Sequence, residues 1–179
     1  MYAFNIMNQF DGVVSGIYGG PQFDGLEDFS ENTQNTIYGR SASTDQSYTS
    51  GSTSGYIVFD TPSNSYGAIP ITTSNNYFFQ NSANSTKVFN VTFNVTWKSD
   101  NANLGLKQCW INKNNSATDR FGFTSIHHQA SGTQAVVCSA AIVLAPGEYI
   151  GCQIYQNTGD IQTIDGTTSE RCRLQITQI

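Results

Sequence analysis

The chain has two histidines, His127 and His128, and they are adjacent in Ile126-His-His-Gln129. Neighbouring side chains on a strand point to opposite faces, so the pair cannot hold one metal ion without a turn. No carboxylate lies close in sequence. A metal centre built here would need one histidine from each of three subunits; a loop pair at a strand end is the simpler expectation. Asp119 and Glu148 could act as paired carboxylates, yet each also reads as an acid in a turn. Serines are plentiful, but no Gly-x-Ser-x-Gly elbow presents one as a nucleophile. With no convergent acid, base and nucleophile set, neither catalysis nor a cofactor nor a resident metal is expected.

The four cysteines, Cys109, Cys138, Cys152 and Cys172, form no Cys-x-x-Cys pair and lie in apolar, strand-like surroundings. They read as small buried hydrophobes. The alternative is one or two disulfides, with Cys152 and Cys172 the first pair to consider if their strands are neighbours.

Binding residues in a β-rich chain concentrate in loops at one end of the scaffold. Three loops are candidates: Asn112–Arg120, with Asn114, Asn115 and Asp119; His127–Thr133, with His127 and His128; and Asn157–Thr168, where Asp160, Asp165 and Gly166 could hold a cation or a sugar. Plain solvated turns are the simpler reading of each. Asn84, Asn90, Asn94 and Asn114 match the glycosylation pattern. Asn90 and Asn94 share one strand face and are expected bare if that face is an interface.

The surface that surrounds these residues is polar but weakly charged. Charged residues make up 12% of 179, against about a quarter in ordinary domains, and Asn, Ser, Thr and Gln fill the gap. Net charge is −5, and residues 1–60 carry seven acids against Arg40 alone. No basic cluster supplies the electrostatic attraction that nucleic-acid binding requires. No apolar run approaches the ~18 residues of a membrane-spanning helix, so membrane insertion is not expected. The first ten residues have no charged start and no clean apolar core, so they do not read as a secretory signal.

The elements that must position these residues are strands. Phe89, Val91, Phe93, Val95 and Trp97 alternate strictly with Asn90, Thr92, Asn94 and Thr96. That period of two predicts one face in a core and one face wetted or paired. Tyr56–Phe59, Leu104–Asn112, Phe121–Ile126, Gln134–Leu144, Glu148–Gln156 and Arg171–Ile179 supply further strands. Turn residues such as Pro146-Gly147 separate them, and no segment carries a helical period. Short strands at intervals of about 8–12 residues predict an antiparallel all-β sandwich. Residues 1–55 read as an arm and linker, aromatic- and Gly-rich and then Ser/Thr-rich; residues 56–179 read as the head domain.

From Tyr56 to Ile179 the order of features resembles the tumour-necrosis-factor/complement globular-head superfamily. Phe89-Asn-Val-Thr-Phe-Asn-Val-Thr-Trp97 is similar to its central apolar strand. Cys109-Trp-Ile-Asn-Lys-Asn-Asn115 is similar to a strand ending in a Lys-Asn turn. Ser139-Ala-Ala-Ile-Val-Leu-Ala-Pro-Gly-Glu-Tyr-Ile150 is similar to its strand, Gly-Asp/Glu, strand signature. Arg173-Leu-Gln-Ile-Thr-Gln-Ile179 is similar to its closing strand. The aromatic Pro-x-x-Gly-x-Tyr entry is replaced by Ile69-Pro-Ile-Thr-Thr-Ser-Asn-Asn-Tyr-Phe-Phe79, and no collagen-like stalk precedes the head. Such a departure is closer to viral fibre tips, spikes and capsid-associated proteins.

The resemblance implies jelly-roll topology and a homotrimer about an axis lined by an aromatic sheet face, with Tyr77, Phe79 and Tyr155 as candidate contacts. An aromatic face left in water would form an apolar patch, and symmetric self-association is the simplest way to cover it. The function implied is a viral or phage head that binds a host glycan or surface receptor. The alternatives are a capsid decoration protein bound to capsid partners and a lectin-like recognition head. The location would be the virion surface, or otherwise extracellular.

Overall fold

The strictest alternation in the sequence builds the centre of the molecule. In the computed structural model, which describes residues 37–51, 55–63, 67–98, 105–116, 118–127, 132–167 and 172–179, β7 (Lys87–Trp97) turns Phe89, Val91, Phe93, Val95 and Trp97 inward, all fully buried. Asn90 on the opposite face is exposed. Each large apolar side chain so buried contributes about 1.5–3 kcal/mol relative to exposure, which fixes the register of the strand.

β7 pairs along its whole length with β10 (Gln134–Leu144), from Gln134 opposite Trp97 to Leu144 opposite Lys87. Its other edge pairs with β13 (Arg173–Gln178), which continues to β1 (Ile37–Ser41) and β4 (Thr61–Pro62). Beyond the end of β13, β12 (Gln162–Ile164) meets β7 at Trp97 and leads to β2 (Gln46–Tyr48). Among the described residues this sheet has seven strands, and every pairing is antiparallel.

The facing sheet has six described strands. β5 (Ile71–Ser74), β6 (Phe78–Asn81), β11 (Tyr149–Gln156), β8 (Leu106–Lys113) and β9 (Arg120–His127) lie in that order. β3 (Gly55–Tyr56) pairs with β11 further along the strand that also pairs with β6. Apart from the consecutive pairs β5–β6 and β8–β9, most neighbours in the sheets are distant in sequence, as in a jelly roll.

The core lies between the sheets. Phe59 and Phe79 pack on Phe93 with ring centroids 5.4 and 6.5 Å apart. Lys107 is also interior, with Nζ 5.3 Å from the centre of the Trp97 ring, where the aromatic face favours a cation. All four cysteines are free thiols in this core. Cys152 lies on β11 and Cys172 just before β13, and both are free, so the disulfide considered first is not formed.

Along one side the two sheets are stitched together. β9 ends one sheet, β10 ends the other, and Thr124 Oγ1 donates to the Val137 carbonyl at 2.7 Å. Gly122 makes the approach possible. Its φ is +59°, and an added Cβ would lie 2.6 Å from the Ser139 carbonyl oxygen.

Two expectations need correction here. The head does not begin at residue 56, because β1 and β2 lie inside the stretch read as linker, and Asn35–Ile179 forms one unit. The polar composition of 41–55 conceals strands whose partners come from far along the chain. Gln46 illustrates the device: its amide donates to the Val58 carbonyl at 2.8 Å and accepts from the Val58 amide at 2.9 Å, acting as a strand neighbour. The aromatic-rich residues 1–36 lie outside the described residues. Phe79, expected on a trimer face, is instead wholly buried, because its position on β6 points into the sandwich while Phe78 points out.

Candidate binding surface

The outer face of the six-stranded sheet carries a cluster of aromatic rings. Tyr56 stacks on Tyr77 at 5.9 Å and meets Phe78 edge-on at 4.9 Å. Tyr77 and Phe78 lie 4.5 Å apart, and Phe78 and Tyr149 lie 4.6 Å apart. All four are half-buried. Such edge and offset contacts hold rings rigidly, each pair adding about 0.5–1.5 kcal/mol beyond its buried area.

Gly151 explains why Tyr56 can lie there. It sits on β11, and an added Cβ would come within 2.8 Å of the Tyr56 ring and 2.9 Å of the Tyr77 carbonyl. The missing side chain leaves a shelf on which Tyr56, carried by β3, lies against the strand. Beyond it, Trp110 donates through Nε1 to Gln153 Oε1 at 2.9 Å and stacks with the half-exposed Phe123 at 6.1 Å. Arg120 covers the Trp110 ring at 4.5 Å.

The rim of the cluster is made of amides. The Tyr56 hydroxyl lies 2.8 Å from both Asn112 Oδ1 and Asn115 Oδ1. One phenol proton cannot serve two carbonyls. Asn112 is fixed, because its amide nitrogen donates to the Ser116 carbonyl. With the Asn115 amide turned over, its nitrogen donates to the phenol oxygen, both contacts are satisfied, and its carbonyl is left as an acceptor on the exposed rim. Burial, then the nearby Tyr149 and Tyr77 phenols, push Tyr56 up to about 12, so the donor stays protonated.

The candidate loop residues separate into two groups. Asn114 and Asn115 sit at the tip between β8 and β9 with φ of 52° and 54°, a left-handed conformation that Asn tolerates better than most residues. Asn114 is exposed but engaged. Its Oδ1 accepts from the Tyr149 amide at 3.0 Å and its Nδ2 donates to Glu148 Oε1 at 2.9 Å. Asp119 is exposed on the same loop, where its backbone amide donates to Ser116 Oγ at 3.3 Å. Glu148 pairs with Lys113 at 2.6 Å and accepts from the Ala145 amide at 2.8 Å, so it closes the Pro146-Gly147 turn and does not pair with Asp119. The Lys113 ammonium, then the Ala145 amide, hold its carboxyl below the usual range.

His127 and Asp160 lie at the other end of the sheet. Leu106 at the start of β8 is opposite His127, and Asn157 Oδ1 accepts from the Leu106 amide at 2.6 Å. Eight residues of β8 separate this end from the Asn114 turn, about 23 Å at strand rise. The three candidate loops therefore do not converge on one end. Asp165 is buried and accepts from the Thr167 amide and hydroxyl at 3.1 and 2.6 Å, so it is not a surface ligand. His128 lies outside the described residues. Tyr77 belongs to the aromatic cluster and Tyr155 is half-buried further along β11.

Among the described residues, no group of three or more His, Cys, Asp or Glu is placed to hold a metal ion. Sequence reasoning named Tyr77, together with Phe79 and Tyr155, as trimer contacts and did not single out Tyr56, Tyr149 or Gly151. The available signal was Gly151 between alternating Tyr149 and Gln153, a glycine within a strand that marks a close approach.

No protein-family model matches the chain, and no curated protein sequence matches it. Solved structures do. Eiger TNF from S. frugiperda superposes with a TM-score of 0.57 at 10% identity, covering 81% of this chain and 92% of that one. Murine APRIL at pH 5.0 gives 0.55 at 9% identity over 82% of this chain and all of its own, and its pH 8.5 structure gives 0.54 over the same shares. With two antiparallel sheets in jelly-roll order and these neighbours, the chain has the tumour-necrosis-factor fold.

Proposed function

We propose that the chain is a non-enzymatic, homotrimeric recognition head of a virus or phage particle that contributes to attachment to a host surface. The observation that carries this reading is the rigid aromatic cluster with an amide rim on the outer face of a tumour-necrosis-factor-like jelly roll. It is built for contact: its rings are locked by one another and its polar groups by the neighbouring turn. Attachment places the head on the virion surface, or in an extracellular setting if the source is not viral.

The trimer contact in this reading is the other outer face. β10 presents Ala135, Val137, Ser139, Ala141 and Val143 outward, with Val137 49% and Val143 53% exposed. A row of small and apolar side chains suits close packing between copies better than Tyr77, whose ring is engaged in the cluster. Light scattering on the full chain tests this. A mass three times the monomer is expected, and Val137→Asp with Val143→Asp should return it to one. A monomer at micromolar concentration would refute the trimeric head.

A further inference from the structure

The aromatic cluster has a chemistry that selects its ligand, and this inference rests on the recognition-head reading. We propose that Tyr56, Tyr77, Phe78 and Tyr149, with the Asn115 amide, form a binding site for neutral, non-sialylated glycans. Sugar rings present one apolar C–H face and an edge of hydroxyls. The site offers the complement: half-buried aromatic rings beside an exposed amide that can pair with a hydroxyl.

The charge around the site decides between neutral and acidic glycans. Lys113 and Glu148, on the turns next to Tyr149, are paired with each other. Arg40, near the β5–β6 turn, directs its guanidinium to the Phe59 and Asp60 carbonyls at 2.7 Å and to Asn76 Oδ1 at 3.2 Å. Asp60 is occupied by the Ser43 amide at 2.9 Å and the Ser43 hydroxyl at 2.5 Å. The segments 52–54, 64–66 and 117, adjacent in sequence to these elements, contain no charged residue. An acidic sugar would give up its hydration beside these committed charges, and Arg120, opposite Asn112 on β9, is held over the Trp110 ring at 4.5 Å with the acid Asp119 next to it in the chain, whereas a neutral sugar loses nothing of that kind.

The rim is further supplied with amides already oriented by the fold. Asn75 Nδ2 donates to the Tyr77 hydroxyl at 3.3 Å, and Gln80 Nε2 donates to the Gly147 carbonyl at 2.7 Å. Orientation before binding reduces the entropy lost on contact. Three such shallow sites on one trimer would act together, so a weak single site still gives useful avidity.

The test is a dense array of neutral oligosaccharides printed beside their sialylated and sulfated counterparts, probed with the full chain. Binding to neutral glycans is expected, with loss on sialylation. Tyr77→Ala and Asn115→Gly should each reduce binding tenfold or more. Asn115→Gly removes the amide and its bond to the Tyr56 phenol but relaxes the positive φ; the two changes offset, so its thermal midpoint should stay close to the parent's, which separates a lost contact from a lost fold. Binding confined to acidic glycans, no glycan binding, or neutral binding unchanged in both variants would each overturn the proposal. A trimer by light scattering that binds no neutral glycan removes the ligand class and leaves the head reading standing. A monomer that binds neutral glycans removes the trimeric head and keeps the site.

Discussion

Replacing Gly151 with alanine should dismantle the aromatic cluster from beneath. The added Cβ would sit 2.8 Å from Cδ1 and Cε1 of Tyr56 and 2.9 Å from the Tyr77 carbonyl oxygen. Carbon atoms pack at about 3.5–4.0 Å, so the Tyr56 ring must retreat by roughly 0.7–1 Å. It has little room, because Phe78 holds it at 4.9 Å and its hydroxyl is bonded to Asn112 and Asn115. The Tyr77 oxygen is backbone and cannot swing aside. Overpacking of this kind costs about 1–3 kcal/mol, and a broken hydrogen bond to the phenol adds about 1 kcal/mol. The total is roughly 2–4 kcal/mol, read as a lower urea midpoint at unchanged m-value. Gly159→Ala is the matched control. Its φ is +87° with nothing within 4 Å of an added Cβ, so only the left-handed backbone penalty of about 1–2 kcal/mol applies and glycan binding stays intact. A Gly151→Ala protein within 0.5 kcal/mol of the parent, with binding retained, would refute the shelf argument.

Truncating the core at Phe93→Ala should destabilise the domain by about 3–5 kcal/mol, because the ring is fully buried between Phe59 and Phe79; a loss under 1 kcal/mol in urea would contradict that placement. All four thiols are buried and free, so Ellman's reagent should find none in the native protein and four after denaturation without reductant; a fast native thiol or a count of two would contradict it. The Glu148 carboxyl is held below its usual range, chiefly by Lys113. Its contribution to stability is complete above the ordinary carboxylate pKa and is lost as pH falls through the depressed value, so Glu148→Gln should flatten the acid limb of the thermal midpoint. An acid limb identical to the parent's would assign that pH dependence elsewhere.

The sheets were legible where one strand carries its own pattern. β7 alternates strictly from Phe89 to Trp97, and burial of one face leaves a single register; β10 is legible as a continuous run of small and apolar residues. β1 and β2 were not legible, because five and three mostly polar residues become strands only when β13 and β12 supply the hydrogen bonds. The same limit applies to the binding surface. The Asn114-Asn115 turn is visible as a turn, but its neighbourhood depends on Tyr56 and Gly151, which lie 95 residues apart in the chain. Grouping His127 and Asp160 with that turn failed because sequence gives no strand direction, and the register of β8 sends them to the far end.

The stitched side of the sandwich bears on how the protein behaves at high concentration. An unpaired sheet edge offers a row of backbone donors and acceptors that can template another chain. Here the edges β9 and β10 lean on each other through Gly122 over Ser139 and Thr124 on Val137. Any incoming strand would first have to prise the two sheets apart. That side of the molecule is closed to a templating strand, and a bulky residue at position 122 would push the two edges apart and reopen it.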